Sequence, residues 1–283
     1  LLFMSDNTTF RLKFWGTRGS IACPGPDTVK YGGNTTCFEV TCGSRRIIID
    51  AGTGIRALGK KIMLEEGNIL DTDIFFTHTH MDHIQGLPFF APLYNPKNNV
   101  RLHAGHLQPP YDLQGLIGTM LMKDPIFPVP SSLIEQACTF NDYNCGQVFE
   151  PDEGIVIRTG KLNHPNGACG YRIEFAGKAI AICTDTEHFE DGIDQSVVSL
   201  SHDADVMVYD SAYTEEEYEK FKGWGHSTWQ EAVKVAETAN VKQTFLFHHD
   251  PSHDDARMDA IAEEVAKIRS GIRPAIEGEE IEI

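Results

Sequence analysis

A run of metal-binding side chains within Thr77–His83 is the strongest chemical signal in this sequence. It places three imidazoles and one carboxylate close together, at His78, His80, Asp82 and His83. Residues two apart on an extended segment project to one side, so we expect the first three to share a side and His83 to point elsewhere. Imidazole and carboxylate are typical ligands of zinc, and manganese or iron also accept them.

So many ligands in one short segment exceed what a single catalytic metal takes, because such an ion keeps an open position. We therefore predict two metals side by side. The alternative is a solvated surface loop that binds metal adventitiously. Against it, the apolar stretch Asp73–Thr77 before the run is typical of a buried strand, and Ile84–Phe90 after it is neither charged nor of low complexity. Ligands at the carboxyl end of a strand are typical of α/β active sites.

Three further metal-competent residues, His164, Asp185 and His248, each close an apolar run that predicts a buried strand. Taken alone, each is more typical of a capping or surface residue. Their shared position at strand ends, together with the first motif, favours one common site.

Strand-like and helical segments alternate along both halves of the chain, which predicts two sheets with helices outside them. The expected strands are Arg11–Trp15, Cys37–Thr41, Arg46–Asp50, Asp73–Thr77, Val100–His103, Ile155–Leu162, Gly170–Phe175, Ala179–Thr184, Val206–Tyr209 and Thr244–Phe247. The expected helices are Ile55–Glu65, Ser227–Ala239 and Asp254–Arg269. No linker divides residues 1–283, so we predict one domain. Residues 105–149 are rich in turn residues and are interpreted as an insertion or lid beside the site.

Composition indicates a soluble globular protein, with 41% hydrophobic and 23% charged residues. No apolar run approaches the roughly 20 residues that span a bilayer, so no membrane contact is expected. The start, Leu1–Met4, is too short for a signal-peptide core, and Met4 is a candidate initiator. We therefore predict a cytoplasmic protein whose seven cysteines are reduced thiols. A metal clip at Cys37–Cys42 or Cys138–Cys145 is the alternative.

The formal charge of −17 at pH 7 disfavours a large nucleic acid as partner. A protein that grips a polyanion uses a basic stripe to release counterions. The densest basic spots here are only the pairs Arg45–Arg46 and Lys60–Lys61. A local basic face stays open as an alternative.

The full set of candidate ligands resembles the metallo-β-lactamase fold hydrolases. The resemblance is carried by His78-x-His80-x-Asp82-His83, His164, Asp185, His248 and Asp50, which ends the stretch Ile47–Asp50 before Ala-Gly-Thr-Gly. It implies an α/β fold of the αββα sandwich type. Within the superfamily, Tyr209–Thr214 and Gly225–Thr228 make the chain most similar to the branch of ribonuclease Z and related phosphodiesterases.

This resemblance implies a division of the ligands between two divalent transition-metal ions, most typically zinc. One metal takes His78, His80 and His164, whereas the other takes Asp82, His83 and His248, with Asp185 bridging. Asp50 would orient a ligand imidazole from behind. We prefer His248 to His249 because it directly follows the strand and lies three residues before Pro251.

The implied chemistry is phosphodiester cleavage by a metal-activated hydroxide. The two ions offset the surface charge locally and lower the pKa of a water. His226 would then protonate the leaving alkoxide, and Asp210 would keep His226 protonated. Asp82 also counts among the catalytic residues. The alternative for His226 is a plain helix-start residue, because Ser227 or Thr228 can open a capping box there.

Two glycine-rich turns are candidate substrate contacts. Arg18, in Gly16–Ser20, could reach a phosphate oxygen, and Asn34, in Tyr31–Asn34, could shape the same rim. Both segments are equally compatible with purely structural turns.

The leading hypothesis is a metal-dependent phosphodiesterase for small or cyclic phosphodiesters. One rival is a transfer-RNA 3′-end endonuclease, but such enzymes typically carry an RNA-gripping arm where only about 20 residues separate His164 from Asp185 here. A β-lactamase or lactonase is disfavoured by Asp82–His83, Asp185 and His226. A non-catalytic metal-binding domain is disfavoured by the complete ligand set. The resemblance also implies a homodimer.

Overall fold

Two seven-stranded sheets face each other at the centre of the structure, a computed structural model that describes residues 8–65 and 69–283. Leu1–Met4, discussed above as a chain start, lies outside the described residues. In the part that is described, no helix is both long and apolar enough to cross a bilayer.

The strands and helices have the following bounds. The strands are β1 Phe10–Gly16, β2 Cys37–Cys42, β3 Arg45–Ile49, β4 Asp71–Phe76, β5 Asn99–Ala104, β6 Cys138–Asp142, β7 Val148–Asp152, β8 Ile155–Leu162, β9 Ala168–Phe175, β10 Lys178–Cys183, β11 Val206–Asp210, β12 Gln243–Phe247, β13 Ile272–Pro274 and β14 Glu280–Glu282. The helices are α1 Ile55–Leu64, α2 Met81–Ile84, α3 Leu113–Leu116, α4 Gln195–Ser201, α5 Glu215–Phe221, α6 Trp229–Thr238 and α7 Asp255–Ile268. A π-helical turn, Ile117–Leu121, continues α3.

Each sheet combines antiparallel pairs on one side with parallel pairs on the other. The first has the order β14-β1-β2-β3-β4-β5-β6 and is parallel from β3 onwards. The second has the order β13-β12-β11-β10-β9-β8-β7 and is parallel from β10 to β13. Because β8 and β10 are both antiparallel to β9, they run in the same direction. The carboxyl ends of β8, β10, β11 and β12 therefore meet at one edge.

Alternating apolar residues give each sheet one face for the space between the sheets and one for the helices. Between the sheets, Phe38 of the first and Phe247 of the second have ring centroids 4.6 Å apart. Burying each such ring stabilises the fold by about 1.5–3 kcal/mol. Leu58 of α1 packs on the outer face of the first sheet, and Val233 of α6 belongs to the core outside the second. This layering confirms the predicted αββα sandwich.

All ten predicted strands and all three predicted helices form, with ends shifted by two residues or fewer. The edge strands β6, β7, β13 and β14 and the short helices α2, α3, α4 and α5 were not predicted. These elements are short, and several are polar; β7, for example, reads Val-Phe-Glu-Pro-Asp. Sheet pairing, rather than local periodicity, specifies such strands. Because β6 and the start of β7 lie within residues 105–149, part of the proposed insertion belongs to the two sheets.

The prediction of reduced thiols is wrong for one pair, because Cys145 and Cys169 form a disulfide. β9 brings Cys169 against the turn after β6, and the two Cα atoms are 6.0 Å apart, which a disulfide spans. The other five cysteines are free. Cys37 and Cys42 lie in different core layers, an arrangement that does not favour the alternative of a metal clip between them.

Candidate metal centre

Three histidines form a first cluster at the mouth of the site. The turn after β4 supplies His78 and His80, and the end of β8 supplies His164. Ligand atoms of all three lie within 4.8 Å of one another. Nε2 of His164 lies 3.1 Å from Nδ1 of His80, so two ring nitrogens point at each other. This is the set predicted for one metal.

A second cluster lies deeper and consists of Asp82, His83, Asp185 and His248, all buried. Nε2 of His248 lies 3.1 Å from one Asp185 oxygen, and Nε2 of His83 lies 3.2 Å from the other. Nε2 of His78, in the first cluster, is 3.7 Å from Asp185. Asp185 therefore faces both clusters, in the position expected of a bridging carboxylate.

The predicted extended geometry of the histidine run holds only as far as His80. α2 begins at Met81, so Asp82 and His83 lie in a helical turn rather than on a continued strand. The backbone N–H of Ser20 donates to Oδ2 of Asp82 at 2.8 Å and fixes this carboxylate. The turn lets the second pair of ligands reach a different cluster from the first pair.

In two of the ligand histidines, Nδ1 contacts an oxygen behind the ring, which leaves Nε2 free to bind a metal. Nδ1 of His83 lies 2.9 Å from Asp50, and Nδ1 of His164 lies 2.8 Å from the carbonyl of Gly225. Each contact fixes a ring and directs its Nε2 inward. Among the described residues, Nε2 of His78 is buried without a hydrogen-bond partner, and Nε2 of His83 faces only the carboxylates of Asp185 at 3.2 Å and Asp82 at 3.4 Å. Such atoms are costly unless another group satisfies them, and a divalent cation fits both.

Asp50 supports the second cluster as predicted. It is fully buried, and its carboxylate accepts hydrogen bonds from the backbone N–H of Thr77 at 2.8 Å and its hydroxyl at 2.7 Å. Burial raises the pKa of Asp50, although His83 and these hydrogen bonds oppose the shift. The carboxylate thus joins the end of β3 to the first ligand turn.

Opposite charges and burial set the protonation of the buried ligands in the protein alone. Burial works to lower the pKa of His83, but the carboxylates of Asp185, Asp82 and Asp50 outweigh it and raise this pKa well above its usual value. Burial, reinforced by His83, lowers the pKa of His78 well below its usual value. The centre therefore has a strongly negative carboxylate core that attracts cations.

Three residues of the site have left-handed backbone conformations at strand ends. The φ angles of Asp50, Asp185 and His248 are 61°, 60° and 63°. This region costs a non-glycine residue roughly 1–2 kcal/mol, although Asp and His tolerate it better than most. Backbone strain of this kind clusters at functional sites, where it directs side chains.

The predicted pair of His226 and Asp210 is formed, with Nδ1 of His226 2.8 Å from Oδ2 of Asp210. The carboxylate also accepts from the backbone N–H groups of Asp185 at 3.0 Å and Ser227 at 3.1 Å. The His226 ring centroid is 4.4 Å from that of His248 and 5.3 Å from that of His164. His226 therefore stands between the two clusters, while Thr228 caps α6.

Glu187 is a functional neighbour that the sequence analysis missed. Its carboxylate accepts hydrogen bonds from the backbone N–H groups of Gly223 at 2.7 Å and Gly225 at 2.8 Å. Gly225 has φ +90°, and a Cβ there would lie 2.2 Å from Nδ1 of His164. The only sequence signals were the glycine pair around Trp224 and the position of Glu187 just after Asp185.

The expected substrate contacts of Arg18 and Asn34 are not supported by the structure. Arg18 is fully buried, and its guanidinium donates to the carbonyls of Gly32 at 2.9 Å and His253 at 2.6 Å. The side-chain amide of Asn34 donates to Glu277 at 2.6 Å. Both side chains tie turns together, which was the alternative interpretation.

His249, the alternative to His248 as the fifth ligand imidazole, contacts a group outside both clusters. Its Nε2 lies 2.9 Å from the carbonyl of Ala275, and burial lowers its pKa to about 3. The preference for His248 over His249 therefore agrees with the geometry.

The chain belongs to the beta-lactamase superfamily, because the model of the beta-lactamase superfamily domain matches residues 45–249. This match covers every candidate ligand and confirms the predicted superfamily. The protein is thus a metallo-β-lactamase fold hydrolase.

Two curated relatives are named ribonuclease Z. That of Enterococcus faecalis is 27% identical, over 62% of this chain and 68% of its own length. That of Haloarcula marismortui is 24% identical, over 95% of this chain and 97% of its own length. These similarities agree with the predicted ribonuclease Z and phosphodiesterase branch.

Solved structures share the fold at low sequence identity. The metallo-β-lactamase fold protein YhfI of Bacillus subtilis has a TM-score of 0.73 at 16% identity, covering 97% of this chain and 100% of its own. A diphosphatase of the PhnP family has a TM-score of 0.69 at 19% identity and covers 98% of both chains. The short form of human tRNase Z has a TM-score of 0.63 at 20% identity, covering 96% of this chain and 98% of its own.

Proposed function

We propose that this protein is a phosphodiesterase that uses two divalent transition-metal ions to cleave small or cyclic phosphodiesters. The observation that carries the proposal is the position of Asp185. Its carboxylate faces both ligand clusters, and Nδ1 of His226 lies 4.0 Å from it. Two cation sites and a candidate proton donor therefore converge on one point.

The ligand sets divide as the two clusters do. His78, His80 and His164 would hold one ion, and Asp82, His83 and His248 the other, with Asp185 shared. The nitrogen and oxygen donors suit zinc best, with manganese or iron as alternatives. Bound ions supply positive charge for an anionic phosphodiester and lower the pKa of water at neutral pH. Asp50 and Ser20 keep His83 and Asp82 in place.

His226 is the proposed proton donor to the leaving alkoxide. Asp210 holds Nδ1, so Nε2 is the atom left to face a substrate. The Asp210 carboxylate fixes the orientation of the ring. The cramped position of the ring between His164 and His248 leaves it little freedom to turn away.

A transfer-RNA 3′-end endonuclease is the second candidate, because the relatives are ribonucleases Z and one structural neighbour is a tRNase Z. These names count against our prediction that a large nucleic acid is not a partner. The local structure favours the small substrate, since His164 and Asp185 are separated by only β9, β10 and their turns, with no space for an arm. The charge of −17 acts in the same direction.

A β-lactamase or lactonase activity is a further alternative from the sequence, and it has no feature of this site in its favour. The cytoplasmic location and the homodimer stay predictions.

A substrate panel combined with metal analysis tests the proposed function. We expect close to two equivalents of zinc, manganese or iron in purified protein and hydrolysis of bis(4-nitrophenyl) phosphate and of small or cyclic phosphodiesters. Precursor tRNA and a β-lactam should be poor substrates. One metal equivalent or none would contradict the two-ion site, and efficient 3′ processing of precursor tRNA at physiological salt would favour the second candidate.

A further inference from the structure

An open pocket of about 470 Å³ adjoins the first histidine cluster. His78 and His80 form one wall, and the opposite wall comes from the segment between β5 and the end of the π-helical turn. Sites for small molecules typically have volumes of roughly 300–1,000 Å³. A group attached to a phosphate held at the clusters would therefore extend directly into this space.

The far wall of the pocket is apolar although it faces solvent. Leu116 and Met120 lie four residues apart on α3 and the π-helical turn, so both side chains face the pocket. Tyr111 and Met120 are 66% and 61% exposed. A second hollow of about 370 Å³ continues past Met120 to Ile126, which is 71% exposed. Exposed apolar side chains gathered in one place mark a binding surface.

The described lining of this pocket offers no basic Lys or Arg side chain to a further phosphate. The second hollow likewise has neither Lys nor Arg among its described lining residues. The polar groups at the rim are the amides of Gln108 and Asn166 and the hydroxyl of Thr79, which lies 2.9 Å from Nε2 of His106. A polynucleotide carries one charge per nucleotide and needs basic side chains along its path. An uncharged apolar group therefore fits this pocket better than a polynucleotide does.

We propose that this pocket binds an uncharged aromatic or apolar substituent carried by the phosphodiester substrate and so determines substrate specificity. The inference rests on the proposed function and narrows it. Because the pocket is continuous with the first ligand cluster, the substituent would lie next to the phosphate. Because neither Lys nor Arg is among the described lining residues, we expect an uncharged substituent there and not a second phosphate.

Two substrates with the same leaving group test the pocket. Phenyl 4-nitrophenyl phosphate and methyl 4-nitrophenyl phosphate both release 4-nitrophenolate, so only the retained substituent differs. We expect kcat/KM to be at least about 10-fold higher for the phenyl ester, mainly through a lower KM, because an apolar group gains binding free energy on leaving water. Met120→Gln, which keeps the length of an exposed side chain, should reduce this preference at least threefold, because kcat/KM for the phenyl ester should fall more than kcat/KM for the methyl ester.

The matched control is Met63→Gln, since Met63 is 55% exposed on α1 and lines neither hollow. Equal kcat/KM for the two esters, or equal losses on both in Met120→Gln, would overturn the pocket while leaving the phosphodiesterase intact. Hydrolysis of neither ester would overturn the proposed function instead. Calorimetry then still tests the pocket: phenylphosphonate should bind more tightly than methylphosphonate, and Met120→Gln should reduce this difference at least threefold. Equal affinities, or no binding of either compound, would refute the pocket.

Discussion

The two sheets contribute to the site in opposite ways. The first sheet delivers four ligands from one continuous stretch, His78–His83, directly after β4. The second delivers its residues singly, with His164, Asp185, Asp210 and His248 each at the end of a different strand. The ligands within His78–His83 can be recognised from their spacing in the sequence. The residues of the second sheet come together only because β8, β10, β11 and β12 end at the same edge of that sheet.

The two sets also differ in how they are held. Asp50 and Thr77 position the first-sheet ligands from within that sheet. The second-sheet ligand His164 depends on a loop, since the carbonyl of Gly225 accepts from its Nδ1. A ligand held by packed strands tolerates less motion than one held by a loop. The two sides should therefore respond differently to mutation.

The largest expected effect comes from Asp185, where the two contributions meet. Asp185→Asn removes the carboxylate that faces both clusters, so we expect both metal equivalents to bind more weakly. Metal Lewis acidity supplies several kcal/mol, so kcat/KM for phosphodiesters should fall at least about 1,000-fold. Elemental analysis and steady-state kinetics measure the two losses.

Asp82→Asn sharpens the comparison, because Asp82 belongs only to the second cluster. The substitution should weaken the binding of one metal ion and leave the affinity for the other unchanged. Asp191→Asn, at an exposed position, is the matched control. If Asp185→Asn lost only one equivalent, as Asp82→Asn should, the shared role of Asp185 would be refuted.

The asymmetry between the sheets also explains how far the sequence could predict this protein. Strands with clear apolar patterns, such as β8 and β12, were predicted from those patterns, and the ligands within His78–His83 were predicted from their residue types and spacing. The second-sheet ligands His164, Asp185 and His248 were candidates from their positions at predicted strand ends, and the family resemblance supplied their division between two metals. Edge strands such as β6 and β13 could not be found, since neighbouring strands specify them.

Arg18 shows a different limit. An arginine in a glycine-rich turn beside a predicted phosphate site suggested a substrate contact, but the sequence could not reveal that backbone carbonyls of Asp250 and His253 would surround it. The same turn does serve the site, through the backbone N–H of Ser20 on Asp82. Backbone groups carry no residue-type signal, so such contacts escape any reading of side chains.

A smaller but more selective effect is expected at His226. His226→Ala removes the proposed proton donor without removing a predicted metal ligand. Turnover of substrates with poor leaving groups should fall about 100-fold, the lower range for general acid catalysis, while 4-nitrophenyl esters change little. Leaving-group series measured with both proteins test this.

His202→Ala serves as the control, because the His202 side chain is 67% exposed. Equal losses on good and poor leaving groups would remove His226 as the general acid. Two intact metal equivalents in His226→Ala would separate proton donation from ligand binding, which the Asp185 variant cannot do.

The smallest expected effect tests the loop that supports the second-sheet side. Glu187→Gln keeps the shape of the side chain but removes one of its two acceptor oxygens. Because Gly223 and Gly225 donate to different oxygens of Glu187, one of the two N–H groups loses its acceptor, and the other binds a neutral amide oxygen less strongly than a carboxylate. Since Gly225 orients His164, one metal equivalent should bind about 10-fold more weakly, as for other groups behind metal ligands. Competition with a chelator measures each equivalent separately.

Glu190→Gln is the matched control, since Glu190 is 74% exposed and pairs only with Lys222 among the described residues. A uniform loss of both metals in Glu187→Gln would show that the loop supports the whole centre rather than the His164 cluster. An unchanged affinity for both metal ions would show that the end of β8 positions His164 without the loop. The proposed difference between ligands held by strands and a ligand held by a loop would then be refuted.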